Sequence, residues 1–292
     1  MANCNDLFID FHKEISLTPA QEDFLRTSRD AVADTIKEYF NAKGIKAPSF
    51  RPQGSLEMKT AINPADTVEG RHDIECGVFL EELPDCDGEK AKIQKVKDWI
   101  MEALADQTDP PPLNSRKYLR IYYEKYHIDL PIYKEENGKT YIGTRDYGWQ
   151  ERDPAALTDW FVGKVKEKGE RMRRVVKYLK AAADNKRLDF KSTAITISVA
   201  NLFVDAGNRD DKSFADTLEN IIAHLQASHA INEPVFPHED ALQPMDRIRM
   251  GKLIMELSVL LQNAKEAVET EDRVEASKKW IQIFGARFKE QS

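Results

Sequence analysis

Three carboxylates stand where strand patterning would gather them. His72-Asp73-Ile74-Glu75-Cys76-Gly77-Val78-Phe79-Leu80 reads as one strand, and Tyr126-His127-Ile128-Asp129-Leu130-Pro131-Ile132-Tyr133 as another. Strands alternate their faces with period two. Asp73 and Glu75 therefore share one face, with Ile74, Cys76 and Val78 on the other. Asp129 likewise opposes Ile128, Leu130 and Ile132. Upstream, Gln53-Gly54-Ser55 reads as a tight turn. Glycine at 54 lets the backbone approach a phosphate closely. Neighbouring N–H groups and a serine hydroxyl can then hold it. Magnesium takes oxygen ligands and keeps some of its waters, so two or three carboxylates suffice. Together these residues suit two divalent ions held against a triphosphate, the requirement of metal-dependent phosphoryl transfer. Asp73 and Glu75 are expected to bind both ions, and Asp129 the ion nearest the attacking hydroxyl. Ser55, with the N–H groups of Gly54 and Ser55, is expected to hold donor phosphates. An Asp-x-Glu alone on a strand is usually a solvated face, and a lone Gly-Ser pair carries little. The order and the patterning together carry the reading.

The elements that must position these residues follow from the pattern around them. Thr18-Pro19-Ala20-Gln21 reads as an N-cap, a proline in the first turn and a capping-box glutamine. The helix it opens ends near Ala42-Lys43-Gly44. Ser49-Phe50-Arg51 forms a short strand into the Gly-Ser turn, and residues 56–72 a loop or a frayed helix with Pro64 and Gly70. Residues 90–105 form an amphipathic helix, broken by Asp109-Pro110-Pro111-Pro112. Strands follow near 118–123 and 126–133, and a hairpin at Asn137-Gly138 leads to 140–142. After Asp153-Pro154 the pattern is helical, over 155–168, 170–184, 192–206, 213–229, 244–267 and 271–289. The expected fold is α+β: a catalytic lobe over 1–153 with a mixed or antiparallel sheet, packed on a helical lobe over 154–292, with the active site in the cleft between them.

Composition narrows the classes. The chain has 292 residues, 41% hydrophobic and 32% charged, ordinary values for a globular protein with a sizeable core. No apolar run approaches the roughly 18 residues that cross a bilayer, and the first residues lack the pattern of a secretory signal. Cys4, Cys76 and Cys86 offer neither a disulfide framework nor zinc spacing. A cytoplasmic location with no membrane partner is expected. The net charge is −7, whereas a binder of long nucleic acid is usually basic. The charge is uneven: residues 164–191 carry eleven Lys and Arg against four Asp and Glu. Such a segment suits a small polyphosphate better than duplex DNA.

The order Gly-Ser, acidic strand, third acid resembles the polymerase-β-like nucleotidyltransferase superfamily. Within it the chain looks most like the bacterial cyclic-oligonucleotide synthases related to cyclic GMP–AMP synthase and oligoadenylate synthase. Gln53-Gly54-Ser55 with Thr60-Ala61-Ile62, the strand from Asp73 to Leu80, the strand from His127 to Tyr133, and Trp149 through Asp153-Pro154 to Trp160-Phe161 carry the resemblance. Glu75 stands where many members have aspartate. The resemblance implies a template-independent enzyme that joins ribonucleoside triphosphates, ATP expected among them. It implies two Mg2+ ions (Mn2+ being an alternative), a cyclic di- or trinucleotide product and release of pyrophosphate. It further implies bacterial antiphage signalling through a separate effector protein. The matching positions give Gln53, Gly54, Ser55, Lys177 and Ser192 to the nucleotide, and Asp73, Glu75 and Asp129 to the metals. The scattered cysteines exclude the zinc-bound insertion of the animal DNA sensors, so no stable DNA binding is expected.

Two other classes stay open on these residues: a transferase acting on RNA ends, a protein or a small molecule, and a non-catalytic nucleotide-binding module. The second would typically lack one or more of the carboxylates. Lys177 and Lys180 are three apart and share a helix face. His72 and His127 flank the acids and are assigned to the opposite faces of their strands. Cys76, Trp99, Trp160 and Trp280 are assigned to the core.

Overall fold

The computed structural model describes residues 2–64, 71–236, 238–242 and 245–291. The loop or frayed helix expected over 56–72 therefore lies partly outside the described residues. The chain opens with helices α1 (Asn5–Ile15) and α2 (Pro19–Ala42), then strands β1 (Ser49–Gln53) and β2 (His72–Leu80). Helix α3 (Glu89–Leu104) leads to β3 (Leu113–Asn114), β4 (Tyr118–Tyr122), β5 (Tyr126–Glu136), β6 (Lys139–Thr144) and β7 (Gly148–Glu151). Helices α4 (Pro154–Lys168), α5 (Glu170–Lys186), α6 (Ser192–Leu202), α7 (Asp210–Ser228), α8 (Arg247–Glu269) and α9 (Arg273–Phe284) follow. The fold is α+β with a mixed sheet. Two compact units divide the chain. One holds Thr18–Lys59 and Glu69–Thr158; the other holds Met1–Leu17, Thr60–Val68 and Asp159–Ser292.

The first unit is the sheet unit. Its long helix α2 starts on the expected capping box: Gln21 N–H donates to Thr18 Oγ1 at 3.2 Å, and Thr18 N–H donates to Gln21 Oε1 at 2.8 Å. Two orphan amides at the helix start are thereby satisfied. Leu25, Val32, Ala33, Ile36 and Phe40 form its buried stripe. Phe40 meets Trp99 of α3 edge to face, at 5.6 Å between ring centroids.

The strands run β1-β2-β5-β4-β3, with β6 pairing β5 and β7 pairing β6. Strands β2 and β5 are parallel and the other pairs antiparallel. Residues Asn137 and Gly138 turn the β5–β6 hairpin at φ 53° and 74°, the left-handed values that a two-residue turn requires. Strand β2 alternates as expected only as far as Glu75; from Cys76 to Leu80 every residue is buried. Gly77 makes this possible. A Cβ there would lie 2.7 Å from the Phe79 ring and 2.9 Å from Gln53 Oε1.

The second unit is helical, and its core is aromatic. The buried Phe8 ring stands edge-on to Tyr178 at 5.0 Å and to Trp280 at 4.8 Å, and Phe214, Phe284 and Phe288 surround it. Phe8 lies on α1, an element not assigned from the sequence. Its buried Phe8, Phe11 and Ile15 do recur at helical spacing. Beside the aromatic core, the fully buried Asp210 accepts from both sides of the Arg174 guanidinium at 2.6 and 2.8 Å and from Tyr178 Oη at 2.9 Å. A carboxylate out of water needs such charged and hydrogen-bonding partners. Among the described residues, no helix is long and apolar enough to cross a membrane.

Candidate active site

Strand register builds the site. Across β1, β2, β5 and β4, Gln53 pairs with Glu75, Glu75 with Asp129, and Asp129 with Arg120. Directly paired residues project to the same face. These four side chains therefore form one row across the sheet. A second row lies one step along the strands on that face: Asp73 pairs with His127, and His127 with Tyr122. The three expected carboxylates thus fall in two adjacent rows on neighbouring strands. The alternation of β2 and β5 puts Ile74, Cys76, Ile128 and Leu130 into the core on the reverse face, each 1% exposed or less. Burial pushes the Cys76 thiol up to about 11, consistent with its place in the core.

Each carboxylate has its own surroundings. The Asp73 side chain is 51% exposed and that of Asp129 only 8%. Asp129 is gripped by Arg120, whose Nε donates to Oδ1 at 2.6 Å and whose Nη2 donates to Oδ2 at 2.6 Å. This two-pronged geometry is the strong form of the ion pair. Burial raises the Asp129 carboxyl above the usual carboxylate range, and the Arg120 contact partly offsets the rise. The same hydrogen bond to Asp129 raises the Arg120 guanidinium. Glu75 accepts from Gln53 Nε2 at 3.3 Å, and that nitrogen also lies 3.3 Å from Tyr133 Oη. Burial pushes the Tyr133 phenol up to about 12.

The turn after β1 sits against this row. Gly54 has φ +80°, a left-handed conformation open to glycine. A Cβ at this position would lie 2.8 Å from Glu75 Cδ and about 3 Å from both its oxygens. The turn and the carboxylate are packed so closely that only a hydrogen fits between them. Ser55 follows directly, and the Met58 N–H donates to the Gly54 carbonyl at 3.1 Å.

One sequence reading needs correction. His127 does not point away from the acids. It stands two residues before Asp129, and period two puts it on the same face. Its Nε2 lies 2.9 Å from Asp73 Oδ1. Asp73, His127 and Asp129 each offer a ligand atom within 4.8 Å of the others, a grouping that could hold a metal ion. His72, beside Asp73 in sequence, does take the other face, and burial lowers its imidazole.

Arg120 was missed from the sequence altogether. The signal was present, because Leu119 and Ile121 are core residues and leave Arg120 on the opposite face of β4.

Lys177 and Ser192 belong to the helical unit. Lys177 is buried on α5, and its Nζ donates to Ser16 Oγ at 3.0 Å. Lys180, one turn on, donates to the carbonyl and hydroxyl of Thr60 at 3.2 and 3.1 Å. The two lysines share a face, as their spacing indicates. Ser192 is the exposed first residue of α6, with Lys191 as N-cap.

A mixed sheet whose neighbouring parallel strands carry paired carboxylates beside a Gly-Ser turn has the polymerase-β-like nucleotidyltransferase fold. Residues 48–133, which contain the turn and every acid of the site, match the family described as cyclic GMP-AMP synthase DncV-like, nucleotidyltransferase domain. Over these residues the chain is similar to the DncV-like nucleotidyltransferase domain. Over 202 residues it is 29% identical to a cyclic GMP-AMP synthase of Escherichia albertii, a match covering 64% of this chain and 44% of that relative. The crystal structure of Vibrio cholerae DncV, a cyclic AMP-GMP synthase, superposes with a TM-score of 0.84 at 19% identity, covering 99% of this chain and 98% of the other. The same enzyme bound to the linear intermediate 5′ pppA(3′,5′)pG gives 0.82 at 18% identity, over 95% and 93% of the two chains.

Proposed function

We propose that this protein is a metal-dependent nucleotidyltransferase that joins two or three ribonucleoside triphosphates into a cyclic oligonucleotide and releases pyrophosphate. The observation that carries the proposal is the register of Glu75 on Asp129, with Asp73 one step along the same face and Gly54 packed against Glu75. The relatives' names as cyclic GMP–AMP synthases support a product of that class, and a Vibrio cholerae DncV structure in complex with ATP and GTP supports ATP among the substrates. The product would act as a second messenger on a separate effector protein in bacterial antiphage signalling, and the enzyme would work in the cytoplasm without stable DNA binding. The lobes proposed for it are residues 1–153 and 154–292.

The donor set fits divalent ions: carboxylates on one sheet face, and a buried imidazole nitrogen that lacks a hydrogen-bond partner beside them. Asp73, Glu75 and Asp129 would hold two Mg2+, or Mn2+ in their place. Such ions screen the phosphate charge and acidify the attacking hydroxyl. The chain's own residues supply position and field. Arg120 fixes the Asp129 carboxylate and keeps it charged. Gln53 orients Glu75. The Gly54 and Ser55 amides and the Ser55 hydroxyl would bind donor phosphates at a backbone that no side chain obstructs. The roles of Lys177 and Ser192 on the triphosphate rest on the family resemblance, and a buried lysine and a hydroxyl at a helix start suit that task.

The test is pyrophosphate release by the purified full chain given ATP, GTP and Mg2+ or Mn2+. Release is expected from the native protein and not from Asp73→Ala/Glu75→Ala. Equal release by both would reject the site.

A further inference from the structure

The sheet face that carries the three acids carries a fourth group able to bind metal. His127 faces Asp73 across the β2–β5 pair and stands two residues from Asp129. Its Nε2 is 2.9 Å from Asp73 Oδ1. Even so, this nitrogen is sealed from water and has no hydrogen-bond partner. The ring is close to the carboxylate without being aligned to donate to it. A histidine that merely oriented Asp73 would aim an N–H at its oxygen. Buried polar atoms without partners are rare in native proteins, and an ion that belongs between them is one of the few explanations.

The spacing agrees. Octahedral coordination with bonds of about 2.1 Å puts adjacent ligand atoms about 3 Å apart and opposite ones about 4.2 Å apart. The Asp73–His127 separation of 2.9 Å matches an adjacent pair. The 4.8 Å span of the Asp73, His127 and Asp129 ligand atoms admits the rest with a small adjustment. Arg120 does not block this arrangement. It takes one lone pair on each Asp129 oxygen, and each oxygen keeps another.

We infer that His127 Nε2 is a direct ligand of one of the two ions, alongside Asp73 and Asp129. One position of the site is then a mixed nitrogen–oxygen site that favours a first-row transition dication such as Mn2+ over Mg2+. Imidazole adds little for Mg2+, a hard ion that prefers oxygen, and more for metals further along the first row. The inference rests on the metal-dependent reading above and goes beyond it in naming a nitrogen ligand and the metal it selects.

The test uses Mn2+ alone, added to the full chain without nucleotide, and reads the spin of the bound ion rather than activity. Pulsed electron paramagnetic resonance is expected to show 14N modulation from an imidazole. Growth on 15N-histidine should convert it to the 15N pattern, which needs no variant. His127→Gln should abolish the modulation and weaken Mn2+ binding about tenfold or more, while Mg2+ binding, followed by competition, changes less than about twofold. Mn2+ that binds without nitrogen modulation would overturn the inference and leave the nucleotidyltransferase reading standing. Modulation that survives in His127→Gln would also overturn it. Failure of the native protein to bind Mn2+ would overturn both.

Discussion

Arg120 holds both oxygens of Asp129 from the neighbouring strand, each contact at 2.6 Å. The pair joins the least exposed acid of the site to a cation whose charge does not vary over the working pH range. Burial alone would push Asp129 toward its neutral form, and Arg120 opposes this. Removing the guanidinium leaves burial unopposed, so the carboxyl rises further. Arg120→Gln is therefore expected to move the acid limb of the pH–rate profile to higher pH. It should also cost about 2–3 kcal/mol of stability through the stranded carboxylate. Arg120→Lys keeps the charge without the fork and should fall between. Parallel pH–rate profiles check this; an acid limb that stays in place in Arg120→Gln would contradict it.

Loss of the two acids of β2 should remove activity and leave the fold in place. Asp73 is half exposed, and Glu75 stands at the edge of the buried part of its strand. Asp73→Ala/Glu75→Ala should lower turnover by about 1,000-fold or more. The melting temperature should stay within about 3 °C of native, because a half-exposed carboxylate adds little to stability. Calorimetry beside the turnover assay separates a lost site from a lost fold.

Gly54 is held by two independent constraints, a left-handed backbone and contact with Glu75. Gly54→Ala should cost roughly 1–2 kcal/mol from the backbone conformation. It should also drive the Glu75 carboxylate aside, lowering turnover about 100-fold, the scale of a misplacement near 1 Å. Thermal melts and turnover of this variant check both effects. Unchanged turnover would show that Glu75 does not need its present position.

Lys97 offers a prediction away from the site. It is fully buried on α3, where Nζ donates to the Ser115 carbonyl at 2.7 Å and to Asn114 Oδ1 at 3.2 Å. Burial pulls its ammonium down to about 8 from an ordinary 10.5. Between those values the unfolded chain binds more protons than the folded one, so the Lys97 contribution to stability improves as pH rises through that window. Below about 8 the penalty is constant. Denaturant unfolding at several pH values should show this slope in the native protein and lose it in Lys97→Met. An equal slope in both would contradict the assignment.

Much of the candidate site's geometry was legible in the chain because strands and turns write it locally. Period two fixed the shared face of Asp73 and Glu75. The hydrophobic neighbours of Asp129 did the same on β5, and the glycine before Ser55 marked the turn. The capping box at Thr18 and the hairpin at Asn137-Gly138 are equally local signals. What the chain could not display was register. That Glu75 faces Asp129, and that Arg120 reaches Asp129, depend on how three strands slide against one another. His127 was assigned to the wrong face even though the count of two to Asp129 was available. Helix α1 went unassigned although Phe8, Phe11 and Ile15 mark its stripe, which finds its partners on α5, α7 and α9 far along the chain.

The most direct measurement is to incubate the purified protein with all four ribonucleoside triphosphates and Mg2+ or Mn2+, digest with phosphatase, and identify what survives by mass spectrometry. A phosphatase-resistant cyclic di- or trinucleotide is the expected result, absent from Asp73→Ala/Glu75→Ala, and it would name the bases and the ring size. Only linear oligomers, or a product that the double variant also makes, would contradict the account.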